Sequence, residues 1–339
     1  MRKLTRVLAA STAIASLVGL TACTSATTTG DTDQQGRTTA VVANPDPRPI
    51  AENPSPQLPV TVRSFDGADV TVTDVSRIVT ADRYGTLTQT VFSLGLGDNV
   101  VGRDTASAFP AAQHVPSITP GGVSLSAEAI LDLAPTVVLT DTSIGPKAVQ
   151  DQLRAAGIPV VFFDPARTLD GVPDQITAVA DALGVPQQGA ELVARTQSEI
   201  DAAKATVPTD GDPLKIAFLY MRGSSITMLG GPGSGADSII DTLGAVDAGT
   251  ASGLTSEFVP ITSEAMIASA PDVLLMMTGG LDSIGGVDGV EKIPGIAQTP
   301  AGQNRRVVDM ADGILLSFGP NTGEVLTALS TAIYHPTAE

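Results

Sequence analysis

From Val60 onward, short apolar runs alternate with segments whose apolar residues recur at helical spacing. Val60-Thr-Val-Arg-Ser-Phe65 and Val70-Thr-Val-Thr73, joined at Asp66-Gly67, predict a β-hairpin. Arg77-Ile-Val-Thr80, Val100-Val101, Val137-Val-Leu139 and Val160-Val-Phe-Phe163 predict short buried strands. Residues 87–94, 126–133 and 147–156 predict helices between them, and Gly95 and Gly157 stop two of these. Over residues 172–207 the helical period dominates, through Ile176, Val179, Ala180 and Leu183, then Leu192, Val193 and Ile200. That predicts one long helix, punctuated by Gly184-Val-Pro186. Strand–helix alternation resumes with Ile216–Tyr220, a Gly-rich turn, Ala236–Leu243, Val273–Met277 and Arg306–Asp309. The grammar is α/β, with parallel sheets covered by helices.

The two alternating regions echo each other. Glu128-Ala-Ile-Leu-Asp-Leu-Ala-Pro135-Thr-Val-Val-Leu139 aligns with Glu264-Ala-Met-Ile-Ala-Ser-Ala-Pro271-Asp-Val-Leu-Leu275, at a constant offset of 136 (128 to 264, 135 to 271). In each copy a Ser just before the Glu suits a helix N-cap, and the helix ends before a Pro that leads into a strand. The repeat predicts two similar lobes, residues 60–171 and 208–339, joined by the long helix 172–207. A cleft between such lobes is a natural ligand site.

The amino-terminal residues read differently. Arg2, Lys3 and Arg6 precede the apolar stretch 7–20, which is short for a membrane span. It ends in Leu20-Thr21-Ala22-Cys23, which resembles the lipobox of bacterial lipoproteins. That resemblance implies a signal peptide over 1–23, lipid modification of Cys23, and attachment to the extracytoplasmic face of the cell membrane. Residues 24–59, rich in Thr, Gly, Asp, Gln and Pro, predict a disordered tether.

Composition then removes whole classes of chemistry. A net charge of −17 repels phosphate backbones and argues against a nucleic-acid partner. One Cys and two His (His114 and His335) leave no disulfide framework and no Cys- or His-rich metal site. Gly230-Gly-Pro-Gly-Ser-Gly235 lacks the Lys-Ser/Thr of a P-loop and reads as a tight turn before a helix. No Gly-x-Ser-x-Gly elbow is present, so a binding protein is expected here and no enzyme, with an extracellular lipoprotein hydrolase as the alternative.

Several strings carry a family resemblance. Arg77-Ile-Val, Leu94-Gly-Leu-Gly-Asp-Asn-Val-Val-Gly102 and Ser126-Ala-Glu-Ala-Ile-Leu resemble solute-binding proteins of ABC importers. The class is the helical-backbone one that carries iron siderophores, hemin and cobalamin. Tyr84-Gly-Thr-Leu, Val100-Val-Gly-Arg-Asp104, Met276-Met-Thr-Gly-Gly-Leu and Ser317-Phe-Gly-Pro320 are similar to actinobacterial hemin-binding lipoproteins. The resemblance runs from about Val60 to Tyr334. It implies hemin or a ferric siderophore as ligand, with a cobalamin-type carrier as alternative, and a monomer that docks on a permease dimer. It also implies a His and a Tyr as iron ligands where this chain has Val123 and Ser224-Ser-Ile-Thr227. Contact residues are therefore expected among Tyr84, Arg222 and Met277, with His114, Arg103 and Met228 as further candidates. The resemblance gives Glu128 and Glu264, one on each lobe, as the residues that pair with arginines of the permease.

Overall fold

The computed structural model describes residues 36–120 and 122–336; the leader, Cys23 and the first part of the expected tether lie outside the described residues. Thirteen strands are named here in chain order: β1 (Arg37–Thr39), β2 (Val60–Arg63), β3 (Asp69–Val72), β4 (Ile78–Ala81), β5 (Val100–Gly102), β6 (Val137–Thr140), β7 (Val160–Phe162), β8 (Lys215–Arg222), β9 (Ile226–Gly230), β10 (Val246–Asp247), β11 (Phe258–Pro260), β12 (Val273–Met277) and β13 (Val307–Met310). They form two α/β lobes. The first has a parallel sheet in the order β5-β4-β6-β7, beside the antiparallel hairpin β2-β3. The second has a seven-stranded sheet in the order β1-β13-β12-β8-β9-β11, with β10 pairing β8.

Strands β4, β6, β7, β12 and β13 are buried at every position, as expected of parallel strands covered on both faces. Their buried hydroxyls find partners inside the sheet: Thr140 Oγ1 donates to the Ala81 carbonyl at 2.9 Å. The second sheet is mixed, because β9 runs antiparallel to β8, and β11 antiparallel to β9. The Gly-rich turn expected after Tyr220 thus contains a strand, with Tyr220 opposite Met228.

Two expectations need correction. The first is the disordered tether over 24–59. Its described part is ordered against the body: β1 pairs with β13, register Arg37–Val307 to Thr39–Asp309. Arg37 also holds the Asp309 carboxylate with two bonds, of 2.9 and 2.8 Å. Farther along, Arg48 pairs with Glu199 and Glu324, and the amides of Ile50 and Gln57 donate to the carbonyls of Ser93 and Gly184. Low hydrophobicity did not preclude order, since the free edge of β13 and opposite charges hold the segment.

The second is the single long helix over 172–207. It is two helices, Val172–Ala182 and Pro186–Lys204. Gly184 takes φ of +70° between them, and Pro186 occupies the first turn of the next helix, where no amide donor is needed. A Cβ on Gly189 would come within 2.4 Å of the Ala180 Cβ. Nine residues of straight helix span about 13 Å, so the chain has folded back on itself. The second helix lies along the carboxy-terminal helix Thr322–Tyr334, where Gly323 allows close approach to Glu199.

Candidate functional site

The lobes meet through the loops that follow the carboxyl ends of their strands, where α/β sheets bind ligands. Thr86 Oγ1 donates to the Ser317 carbonyl, and the Leu169 amide to Ser238 Oγ at 3.0 Å. Gly313 has no room for a side chain against the Ala106 carbonyl, and a Cβ on Gly235 (φ +84°) would press on Arg167 Cβ at 3.1 Å. One apolar cluster runs through both lobes, from Leu87, Leu139 and Val161 to Phe218, Leu275 and Phe318.

In the first lobe, three buried carboxylates follow three adjacent strands: Asp82 after β4, Asp104 after β5 and Asp141 after β6. Asp82 accepts from the amides of Tyr84, Thr86 and Leu87, which fixes the start of the helix Thr86–Ser93. Asp104 accepts from the Asp82 amide and from the amide and hydroxyl of Ser107. Burial, and secondarily the charge of Asp82, pushes Asp104 up to about 8. Asp141 is also raised by burial and by Asp82, and Arg167 opposes that shift. Arg167 Nη2 donates to Asp141 at 2.9 Å, while Asp82 lies 3.7 Å away. The same guanidinium sits 4.7 Å from the ring centroid of half-buried Tyr84. Burial raises the Tyr84 phenol, and Arg167 pulls the other way.

In the second lobe the matching position holds Arg222. Ile78 pairs with Val137 across β4–β6 as Ile216 pairs with Val273 across β8–β12, and Tyr84 and Arg222 each stand six residues beyond. The Arg222 guanidinium lies 4.7 Å from the Tyr220 centroid, forms an ion pair with Asp312 at 2.9 Å and approaches Met277 Sδ at 3.7 Å. Met228 is the cross-strand neighbour of Tyr220, and Met276 pairs with Leu219, so Met277 stands level with Tyr220. Phe258 closes the far side of Tyr220, with ring centroids 5.9 Å apart. A phenol, a guanidinium and two thioethers thus converge at one strand end.

The other candidates sit differently. Arg103 is spent inside its own lobe, donating to the carbonyls of Ala112 and Asp104. His114 is exposed in the loop that Arg103 braces, and that loop is tied at Ala111 to Asp46. Val123, Ser224 and Ser225 are exposed. Two cavities, of about 660 and 520 Å³, lie elsewhere: between residues 38–48 and the carboxy-terminal helix, and beneath the β2–β3 hairpin. Reading the sequence passes over Tyr220, Arg167 and Asp312. For Tyr220 a signal exists, a Tyr-x-Arg at the end of an apolar strand; for Arg167 and Asp312, brought in from distant loops, none does.

The family described as periplasmic binding protein matches residues 83–312. Crystal structures of heme binding protein HmuT superpose with a TM-score of 0.84 at 42% identity, covering 88% of this chain and 97% of that one. Solved variants of that protein replace a His, a Tyr, and an Arg two positions after the Tyr. The periplasmic heme-binding protein RhuT from Roseiflexus sp. RS-1 matches at 39% identity and TM-score 0.73, over 78% of this chain and all of that one. An ABC transporter substrate-binding lipoprotein, YvrC of Bacillus subtilis strain 168, is 26% identical over 83% of this chain and 87% of its own length. A cobalamin-binding protein of Halobacterium salinarum is 25% identical over 64% of this chain and 58% of its own.

Proposed function

We propose that this chain, which belongs to the periplasmic binding protein family, is the solute-binding lipoprotein of an ABC importer and carries hemin, with a ferric siderophore as second candidate. The observation that carries the reading is Tyr220 with Arg222. They have the residue types and spacing of the Tyr and Arg replaced in heme binding protein HmuT, and they stand beside Met277 and Asp312 at a strand end. A tyrosine oxygen is a hard donor suited to ferric iron, and thioethers pack well against a flat ring. Arg222, held by a half-buried carboxylate, is placed to exchange Asp312 for a propionate. Tyr84, backed by Arg167, supplies an aromatic face from the first lobe.

The relatives named above are binding proteins, which supports a carrier over an enzyme. The lipobox-like sequence and the lipoprotein relative support a lipid anchor at Cys23. No helix among the described residues is long and apolar enough to cross a membrane. Glu128 and Glu264, exposed on equivalent helices, are the proposed docking acids.

Hemin titration followed at the Soret band tests the ligand. A saturable shift at one equivalent is expected. No shift with hemin, together with fluorescence quenching by a ferric siderophore or by cobalamin, reassigns the cargo. Replacing Cys23 with Ala should release the protein from membranes on fractionation, and retention would remove the anchor from this reading.

A further inference from the structure

We propose that Leu131 and Ile267 are paired apolar anchors through which the two lobes grip a two-part partner, each set beside the acidic residue of its own helix. The proposal rests on the carrier reading above, because the two-part partner is the importer's permease pair. The helices Ala127–Asp132 and Ser263–Ser269 hold the same place in their lobes. Ser126 Oγ caps the first, accepting from the Ala129 amide at 3.2 Å, and Thr262 Oγ1 caps the second, accepting from Ala265 at 3.1 Å. Each ends at a left-handed alanine before a proline, Ala134 (φ 43°) and Ala270 (φ 41°), and leads into a buried strand, β6 or β12.

Burial repeats position by position. Ile130 and Met266 are buried, Glu128 and Glu264 are exposed, and Leu131 and Ile267 are exposed at 36% and 48%. A single exposed aliphatic residue needs no explanation. Here two branched aliphatics face solvent at the same offset of the repeat, each three residues after an exposed glutamate. Residues three apart share one helix face, so each lobe presents a carboxylate and an aliphatic side chain together. Neither glutamate has an ion pair among the described residues.

The complementary surface carries two equivalent apolar hollows, each beside a basic side chain. Two lobes built on one repeat match a partner built of two like subunits. The glutamates steer the encounter and set its salt dependence, while the aliphatics supply the dehydrated contact that slows release.

The test uses the full-length protein and its importer reconstituted in lipid vesicles, with docking read as stimulated ATP hydrolysis at low and high salt. Leu131→Ser and Ile267→Ser should each weaken docking about tenfold at both salt concentrations. Hemin affinity and melting temperature should stay at wild-type values, and Leu131→Met with Ile267→Val should restore docking. Glu128→Ala with Glu264→Ala should instead remove the salt dependence. Wild-type docking by the two serine variants overturns the anchors alone. Failure of the wild-type protein itself to stimulate the importer overturns the carrier reading and the anchors with it.

Discussion

The guanidinium of Arg167 lies 4.7 Å from the ring centroid of Tyr84 while Nη2 holds the Asp141 carboxylate at 2.9 Å. One buried cation therefore answers two tasks, offsetting the acids behind it and backing the aromatic face in front. Its side chain is almost fully enclosed, so its removal leaves Asp141 and Asp82 without a counter-charge. Arg167→Ala is expected to destabilise the protein by about 3–5 kcal/mol, as for a buried pair that loses one partner. Urea unfolding at neutral pH measures this, and a loss below about 1 kcal/mol would mean that the acids do not depend on Arg167.

Asp104 makes stability depend on pH in an uncommon direction. In the folded protein it keeps its proton up to about 8, against 3.8 ordinarily. Between those values the folded state binds a proton that the unfolded chain has released, so stability falls as pH rises through this window. Asp104→Asn removes the titrating group and keeps its shape. The variant should melt above wild type at about pH 9, with the gap closing toward about pH 5. A gap independent of pH would contradict the assignment.

Tyr220 and Arg222 separate binding from stability. The Arg222–Asp312 pair is more than one-third exposed on both sides, so Arg222→Ala should change unfolding free energy by no more than about 1 kcal/mol. Its hemin affinity should nevertheless drop by about 1–3 kcal/mol, as for a lost charged hydrogen bond to a carboxylate. Tyr220→Phe should alter the ligand-field bands of bound ferric hemin, which Tyr84→Phe should leave in place while weakening affinity. Identical spectra for wild type and Tyr220→Phe would remove Tyr220 from the iron.

Ala134 and Ala270 occupy left-handed backbone before a proline in both copies of the repeat. Such conformations cost a non-glycine residue about 1 kcal/mol. Replacing either with Gly should therefore raise the melting temperature, and the two gains should add because the sites lie in different lobes. Differential scanning calorimetry of both single variants and the double variant checks this.

Local pattern made much of the fold legible. The hairpin at Asp66-Gly67, the strands at Val137 and Val273, and the helices at Glu128 and Glu264 follow from alternation, turn residues and a Pro at a fixed place. Of the two expected serine caps only Ser126 holds, since Thr262 caps the second helix and Ser263 is its first residue. Strand β9 was hidden by its Gly-rich exit, which reads as a turn, and β1 by a polar composition. Of the proposed contacts, Tyr84, Arg222 and Met277 stand out in motifs because they sit on strands or just past them. Arg103 was read from its motif as well, yet its guanidinium turned inward to carbonyls that no local pattern reveals.

By itself the sequence determined the periodicities, the internal repeat and hence two similar α/β lobes, since these depend on neighbours a few residues apart. The tertiary structure decided where the chain reverses at Gly184, that Arg37 closes the edge of β13, and which cation faces which acid. The physical reason is range. Helix and strand propensities act within a turn or a hairpin, whereas Arg167 meets Asp82 and Asp141 only after three strands have stacked and brought their loops together.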